Sequence, residues 1–214
     1  MNGLKPIVLL PARERVASEL RKAILSKQIA AGKVLTLESV AEQLGVSATP
    51  VREAFQILSR DGLIKLKTNK GAVVLGMTRE RLREHYQVRA ALESEACILC
   101  CEQETDLSGI ERSVREARKA LDFNDSAQYG DFNQSFHYEI WKASGNEKLK
   151  SMLSELWNGL SMGVESTVSA YAQGSQREHE EILTALQARD AANARDAMRR
   201  HILRSLEDML TRYE

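Results

Sequence analysis

Apolar residues recur at helical spacing three times within the first sixty positions. In "PARERVASELRKAILSK", Pro11 to Lys27, the residues Val16, Leu20, Ala23 and Ile24 share one face of a helix. "TLESVAEQLGVS" repeats the pattern with Leu37, Val40, Ala41 and Leu44; Thr36 is placed to cap its start and Gly45 to end it in a left-handed turn. A third helix follows almost at once, with Thr49 as the expected N-cap, Pro50 at the first helical position, and Val51, Ala54, Phe55 and Leu58 as its stripe. Gly62 closes it. The period then drops to two: Leu63–Leu66 with Lys67, and Ala72–Leu75, read as strands joined by a Thr68-Asn69-Lys70-Gly71 turn.

Three helices followed by a basic-tipped hairpin predict a winged helix-turn-helix. The stripe of the third helix docks it on its neighbours, and its polar face is left free to enter a major groove. Beyond Gly76 there is no strand signal and no further proline. Helical periodicity covers 79–104, 106–122, 125–143, 146–170, 175–189 and 191–213, with breaks expected at Ser144-Gly145-Asn146 and Gln173-Gly174-Ser175. The expected fold is therefore mainly α. A winged helix-turn-helix DNA-binding domain is expected over residues 1–76, and an all-helical bundle over 77–214.

Composition sharpens this division. The 214 residues carry 30 Lys+Arg against 30 Asp+Glu, but residues 1–76 hold 12 of the basic and 6 of the acidic ones, leaving 18 and 24 to the remainder. A basic first module of charge +6 before an acidic second of charge −6 points to an anionic partner for the first, with nucleic acid the leading candidate. A 43% apolar and 28% charged chain is ordinary for a globular protein. No stretch approaches the roughly 20 apolar residues of a membrane span, and no signal peptide is evident, so a cytoplasmic location is expected. The three cysteines, Cys97, Cys100 and Cys101, lie in one helical stretch without a second pair to complete a zinc site, and are expected as packed thiols.

On the third helix Arg52, Gln56 and Ser59 face away from the stripe, with Ala48 and Thr49 at its tip. Arg52 suits a bidentate contact to guanine or a phosphate clamp. Ser47 and Thr49 suit phosphate binding at the helix N-terminus, and Lys67 and Lys70 suit the backbone or minor groove. The run "GVSATPVREAFQILSRDGLIKLKTNKGAVV" closely resembles the GntR-family signature, G-V-S-x-T-P-V-R-E-A-L followed by a "GL" turn and the G-x-x-V wing that begins here at Gly71. The resemblance covers about residues 12–76 and implies DNA binding. The family usually has arginine where this chain has Ala48, and often where it has Glu38. Both positions commonly contact DNA there, so the family's operator consensus does not transfer.

Three of the four histidines fall in the helical module. Asn133 and His137 stand at i and i+4 in "DFNQSFHYEIW", with Ile140 and Trp141 turning that face inward. His179 shares a face with Ile182, Leu183 and Leu186, and His201 follows Met198 by three. Three inward imidazoles can converge on one ion in a bundle core, or they can be three unrelated core histidines. Histidine suits zinc, nickel, copper or iron, with zinc or nickel the expected ions. His85, without a partner in the pattern, is expected at the surface.

The second module resembles the FCD effector domain of the FadR-type branch of the same family over nearly its full length. The matching pattern is Asp/Asn-x-x-x-His, a Ser-Gly-Asn loop, then one histidine on each of the last two helices. The resemblance implies a divalent metal on His137, His179, His201 and Asn133. It also implies small organic acids as effectors, with Arg89 as a carboxylate anchor. Asn133 replaces the family's usual aspartate and leaves the site one charge more positive. Arg89 can equally form an i,i+4 pair with Glu93 on the surface. Tyr86, Trp157 and Met162 are candidate cavity residues but better read as core. A regulator that binds a pseudo-palindromic operator as a homodimer, without membrane contact, follows. Its alternatives are a metal-sensing regulator, or one with a structural metal and a non-acid effector such as a nucleotide or lipid. A metalloenzyme is disfavoured, because Glu178, Glu180 and Glu181 are expected on other helix faces than His179, leaving no general base beside the ligands.

Overall fold

The structure, a computed structural model, describes residues 11–68, 71–103, 105–160 and 168–211, and the chain divides into two units, residues 1–77 and 78–214. In the first unit α1 (Ala12–Leu25), α2 (Leu37–Leu44) and α3 (Ala48–Arg60) follow the three stripes. Val16, Leu20 and Ile24 of α1 pack with Val51, Phe55 and Leu58 of α3 and with Ile64, Ala72 and Val74 from the strands in one core. Arg21 is buried as well, and its guanidinium donates to Asp61, the residue that ends α3. The far end of α3 is thereby tied to α1.

The helix boundaries follow local chemistry. Thr36 accepts from the Ser39 amide at 3.1 Å, and Gly45 ends α2 in the left-handed region with φ 63°. The start of α3 differs from expectation: Ser47, not Thr49, is the N-cap, and the helix already runs at Ala48. Pro50 therefore sits in the first turn rather than at its first position. Nothing is lost, because the first four amides of a helix have no intrahelical acceptor. The first helix also stops two residues short of Lys27, which adopts φ 59°.

The hairpin strands are β2 (Ile64–Lys67) and β3 (Gly71–Val74), paired antiparallel from Ile64↔Val74 to Lys67↔Gly71. A two-residue strand unforeseen in the sequence, β1 (Val34–Leu35), adds to the other edge of β3 through Val34↔Val73 and Leu35↔Ala72, giving the order β1-β3-β2. Two residues carry too little periodicity to reveal a strand. Lys70, at the hairpin tip, lies outside the described residues.

The second unit is helical throughout its described residues: α4 (Arg79–Glu102), α5 (Ser108–Asp122), α6 (Ser126–Ala143), α7 (Glu147–Leu160), α8 (Val168–Gln187) and α9 (Ala191–Leu210). Thr78, Asp125 and Asp190 cap α4, α6 and α9 through backbone amides. The Ser144-Gly145-Asn146 break falls between α6 and α7 as expected, with Gly145 at φ 66°. The break expected at Gln173-Gly174-Ser175 does not occur, and Val168–Ala170, expected to end the preceding helix, belong to α8. Gly174 costs a helix only about 1 kcal/mol, and the helix carries through it with Ala172 packed against Ala117, Ala120 and Tyr129 and Gln176 Nε2 donating to the Val114 carbonyl. Cys97, Cys100 and Cys101 are free and buried. Burial raises all three thiols, Cys100 to about 11. His85 is half-buried, its ring edge-on to Tyr86, rather than at the surface.

Gly71 and Gly45 both hold positive φ, but only Gly71 is crowded: a Cβ there would overlap the Leu35 carbonyl oxygen, whereas the space beside Gly45 is open. Gly45→Ala should cost about 1–2 kcal/mol through backbone conformation alone, and Gly71→Ala more, because β1 must move. Thermal unfolding of the two variants checks this; equal shifts would show that β1 yields freely.

Candidate metal centre and nucleic-acid face

The candidate nucleic-acid face is made by α3 and the hairpin. Burying Val51, Ala54, Phe55 and Leu58 leaves Arg52 and Gln56 exposed on the opposite side, one turn apart. Ser47 and Thr49 are exposed at the helix start, and Lys67 is exposed at the end of β2. A groove of about 740 Å³ runs between helix and wing, bordered by Arg52, Gln56, Lys67, Gly71 and the exposed Glu38 of α2. Among the described residues no ion pair engages Arg52, so its guanidinium is available to a ligand. Gly71 contributes through its backbone: as the first residue of β3 it lets that strand pass close to β1.

In the helical unit His137 comes from α6, His179 from α8 and His201 from α9, all buried. Each helix turns its histidine inward because the same face carries large apolar neighbours: Ile140 and Trp141, Ile182 and Leu186, Met198 and Ile202. Their ligand nitrogens lie within 4.8 Å of one another. The His201 Nε2 atom is 3.3 Å from the Nε2 of both His137 and His179.

The outer nitrogens decide what the inner ones can do. His137 Nδ1 lies 3.0 Å from Glu93 Oε2 and His201 Nδ1 lies 2.7 Å from Glu178 Oε2. A carboxylate acceptor fixes the proton on Nδ1, which leaves Nε2 with its lone pair facing inward. Burial pushes all three imidazoles below their ordinary range. His137 falls to about 4 although Glu93 opposes the shift; His179 falls well below its usual value; His201 falls against the pull of Glu178. At neutral pH the cluster is therefore three neutral rings. The facing Nε2 lone pairs of His137 and His201 cannot bond each other, and a divalent cation held by them would satisfy both. The donor set fits such an ion, and it is the one group of three His, Cys, Asp or Glu with ligand spacing among the described residues. Among the described residues His179 Nδ1 is buried without a hydrogen-bond partner, and the His179 ring stacks on Phe136 at 4.0 Å.

Glu93 and Glu178 are the residues bordering the candidate centre that the sequence reading passed over. Glu93 is fully buried, and burial raises its carboxyl. The charge that His137 acquires once protonated in acid and that of Arg89, with hydrogen bonds from His137 and Trp141, outweigh this and hold it at about 2. Arg89 Nε donates to it at 3.0 Å and Trp141 Nε1 at 2.7 Å. The Arg89–Glu93 pair is thus an i,i+4 pair as considered, but an interior one (3% and 0% exposed) rather than a surface one. The Arg89 guanidinium also lies 4.3 Å from the Trp157 ring centroid. Glu178 is indeed turned away from His179, its sequence neighbour, but toward His201, where Arg204 also donates to it. Both acids hold the outer side of a histidine, away from the point of convergence. The available signal was positional: Glu93 lies four residues before Cys97 on the buried face of α4, where an unpaired charge would be costly.

Tyr86 and Trp157 are core residues, as read, and Met162 lies outside the described residues. Asn133 is half-buried one helical turn before His137.

Glu178→Gln and Glu93→Gln should each weaken zinc binding by about 10–100-fold, because each removes an anionic partner of a ligating ring. Glu93→Gln should in addition cost about 3–5 kcal/mol of stability by stranding a buried arginine. Chelator competition and chemical unfolding measure the two effects; unchanged zinc affinity in both variants would contradict the tethering role.

Residues 12–74 match the bacterial regulatory proteins of the gntR family and residues 84–204 match the FCD domain. Over 156 residues the chain is 30% identical to the gluconate operon transcriptional repressor of Bacillus subtilis (strain 168), which covers 72% of this chain and 62% of that relative, so the chain spans just under two thirds of its length. It is 25% identical over 213 residues to the gluconate operon transcriptional repressor of Bacillus licheniformis, covering 94% and 84% of the two chains. The solved structure of E. coli McbR/YncC shares the fold, with a TM-score of 0.75 over 96% of this chain and 100% of that one at 23% identity. No helix among the described residues is long and apolar enough to cross a membrane. With both modules matched in order, the chain belongs to the GntR family of bacterial regulatory proteins and carries its FCD domain.

Proposed function

We propose that the protein is a DNA-binding transcription regulator whose operator affinity is controlled by a small organic acid bound at a metal site in its helical domain. The observation that carries this reading is the convergence of three neutral imidazoles inside one unit, while the other presents Arg52, exposed and without an ion pair among the described residues, beside a basic wing. His137, His179 and His201 would hold the ion, zinc or nickel, with Asn133 one turn from His137 as the oxygen donor. The ion supplies a Lewis-acid position for an anionic oxygen. Charge supports an acid as the effector. Glu93 is balanced by Arg89 and Glu178 by Arg204, so the ion's two positive charges meet only neutral ligands and favour an incoming carboxylate. Two relatives repress gluconate operons, and gluconate is itself a hydroxy acid.

DNA binding would use a homodimer on a pseudo-palindromic operator, each copy placing α3 in a major groove. The effector moves the equilibrium between binding and non-binding states only by its differential affinity for them. Metal sensing is the second reading, and the interior position of Arg89 favours it: an arginine already committed to Glu93 is a poor anchor for a second carboxylate.

Arg52→Ala should cost about 1–3 kcal/mol of operator binding with no change in fold, read by fluorescence anisotropy on a selected operator; full affinity would remove Arg52 from the interface. Thermal unfolding of zinc-loaded protein against a panel of small carboxylic acids tests the effector. One acid should stabilise by about 2.7 kcal/mol at a hundredfold excess over its Kd, and chelation should abolish the shift. Stabilisation by metal alone, with silence across the acids, would replace acid control by metal sensing.

A further inference from the structure

One side chain on the nucleic-acid face carries the wrong sign for its surroundings. Glu38 is exposed in the first turn of α2 and borders the groove that also holds Arg52, Gln56 and Lys67. Among the described residues no ion pair neutralises it. A free carboxylate on a surface that receives a polyanion is repelled by every phosphate. An acid in the first turn of a helix does gain from the helix dipole, but that gain needs no place in the groove.

The base edges offer an attraction that offsets this repulsion. An ionised carboxylate is an acceptor only. In the major groove the donors are the N4 amino group of cytosine and the N6 amino group of adenine. Adenine shows its donor beside the N7 acceptor, which matches an amide and repels a carboxylate; cytosine shows the amino group alone. A glutamate beside a base-reading arginine therefore selects cytosine, and the same charge that selects it rejects the acceptor edges of thymine and guanine.

We propose that Glu38 is a specificity-determining residue of the nucleic-acid face, its carboxylate accepting a hydrogen bond from the N4 amino group of a cytosine in the operator's major groove. The proposal rests on the DNA-binding function above and deepens it: Arg52 reads a guanine, and Glu38 fixes a cytosine at a separate position. A purely structural acid in the α2 first turn would affect stability and leave base preference alone.

Selection of bound duplexes from a randomised pool by the full chain and by Glu38→Ala, Glu38→Gln and Arg52→Ala tests it. The wild-type motif should contain a cytosine whose preference flattens with Glu38→Ala and moves toward adenine with Glu38→Gln, while the remaining positions hold. In competition binding, thymine at that position should weaken the wild type about tenfold or more and leave Glu38→Ala indifferent. Affinity of Glu38→Ala for unrelated duplex should stay level or rise, since a negative charge is gone. The same motif from wild type and both Glu38 variants, alongside a motif altered by Arg52→Ala, would overturn the role of Glu38 and leave DNA binding intact. A wild-type pool with no enriched sequence would overturn both.

Discussion

A carboxylate cut off from water, Glu93, organises the interior of the helical unit. Removing such a charge from solvent costs several kcal/mol, recovered only when its lone pairs are met by well-placed donors. Here the donors come from two helices: Arg89 one turn away on α4, and His137 and Trp141 on α6. The guanidinium in turn lies against Trp157 of α7. Neither α4 nor α6 can rotate or slide without stranding a charge. The register of these two helices and the tautomer of one imidazole are thus set together. Glu178 repeats the device at the other end of the cluster, holding His201 and Arg204 of α9 from α8.

The consequence is a group of histidines shaped before any ion arrives. Two of the three rings have their protons fixed on the outside, and burial keeps all three neutral, so at His137 and His201 no proton need be displaced and little rotation is required. His179 is held differently, by stacking on Phe136 rather than by a carboxylate. Preorganisation of this kind lowers the cost of binding. It also makes the unit stiff at its centre, so that an anion captured by the ion would act on elements already locked to one another.

How much of this is legible in the sequence varies with the range of the interaction responsible. Elements set by local rules are plain: the stripes of α1 to α3, the Thr36 and Gly45 ends of α2, the hairpin and the Ser144–Asn146 break. The inward direction of the histidines was legible too, because each shares a face with large apolar residues. Their convergence was not, since three helices far apart in sequence must pack before their side chains can meet. Glu93 and Glu178 were missed for the same reason: their partners His137 and His201 lie 44 and 23 residues away. Gly174 and β1 failed in opposite senses. A residue that usually breaks helices was overridden by burial around it, and a strand of two residues exists only because β3 offers it an edge.

The central claim is that three imidazoles, and no cysteine, hold the ion. X-ray absorption spectroscopy on the zinc-loaded protein addresses it most directly. Three imidazole nitrogens at about 2.0–2.1 Å, with any remaining ligands oxygen or nitrogen, are predicted. A scatterer at about 2.3 Å would place sulfur on the metal, and that result, or fewer than three imidazoles, would contradict the account.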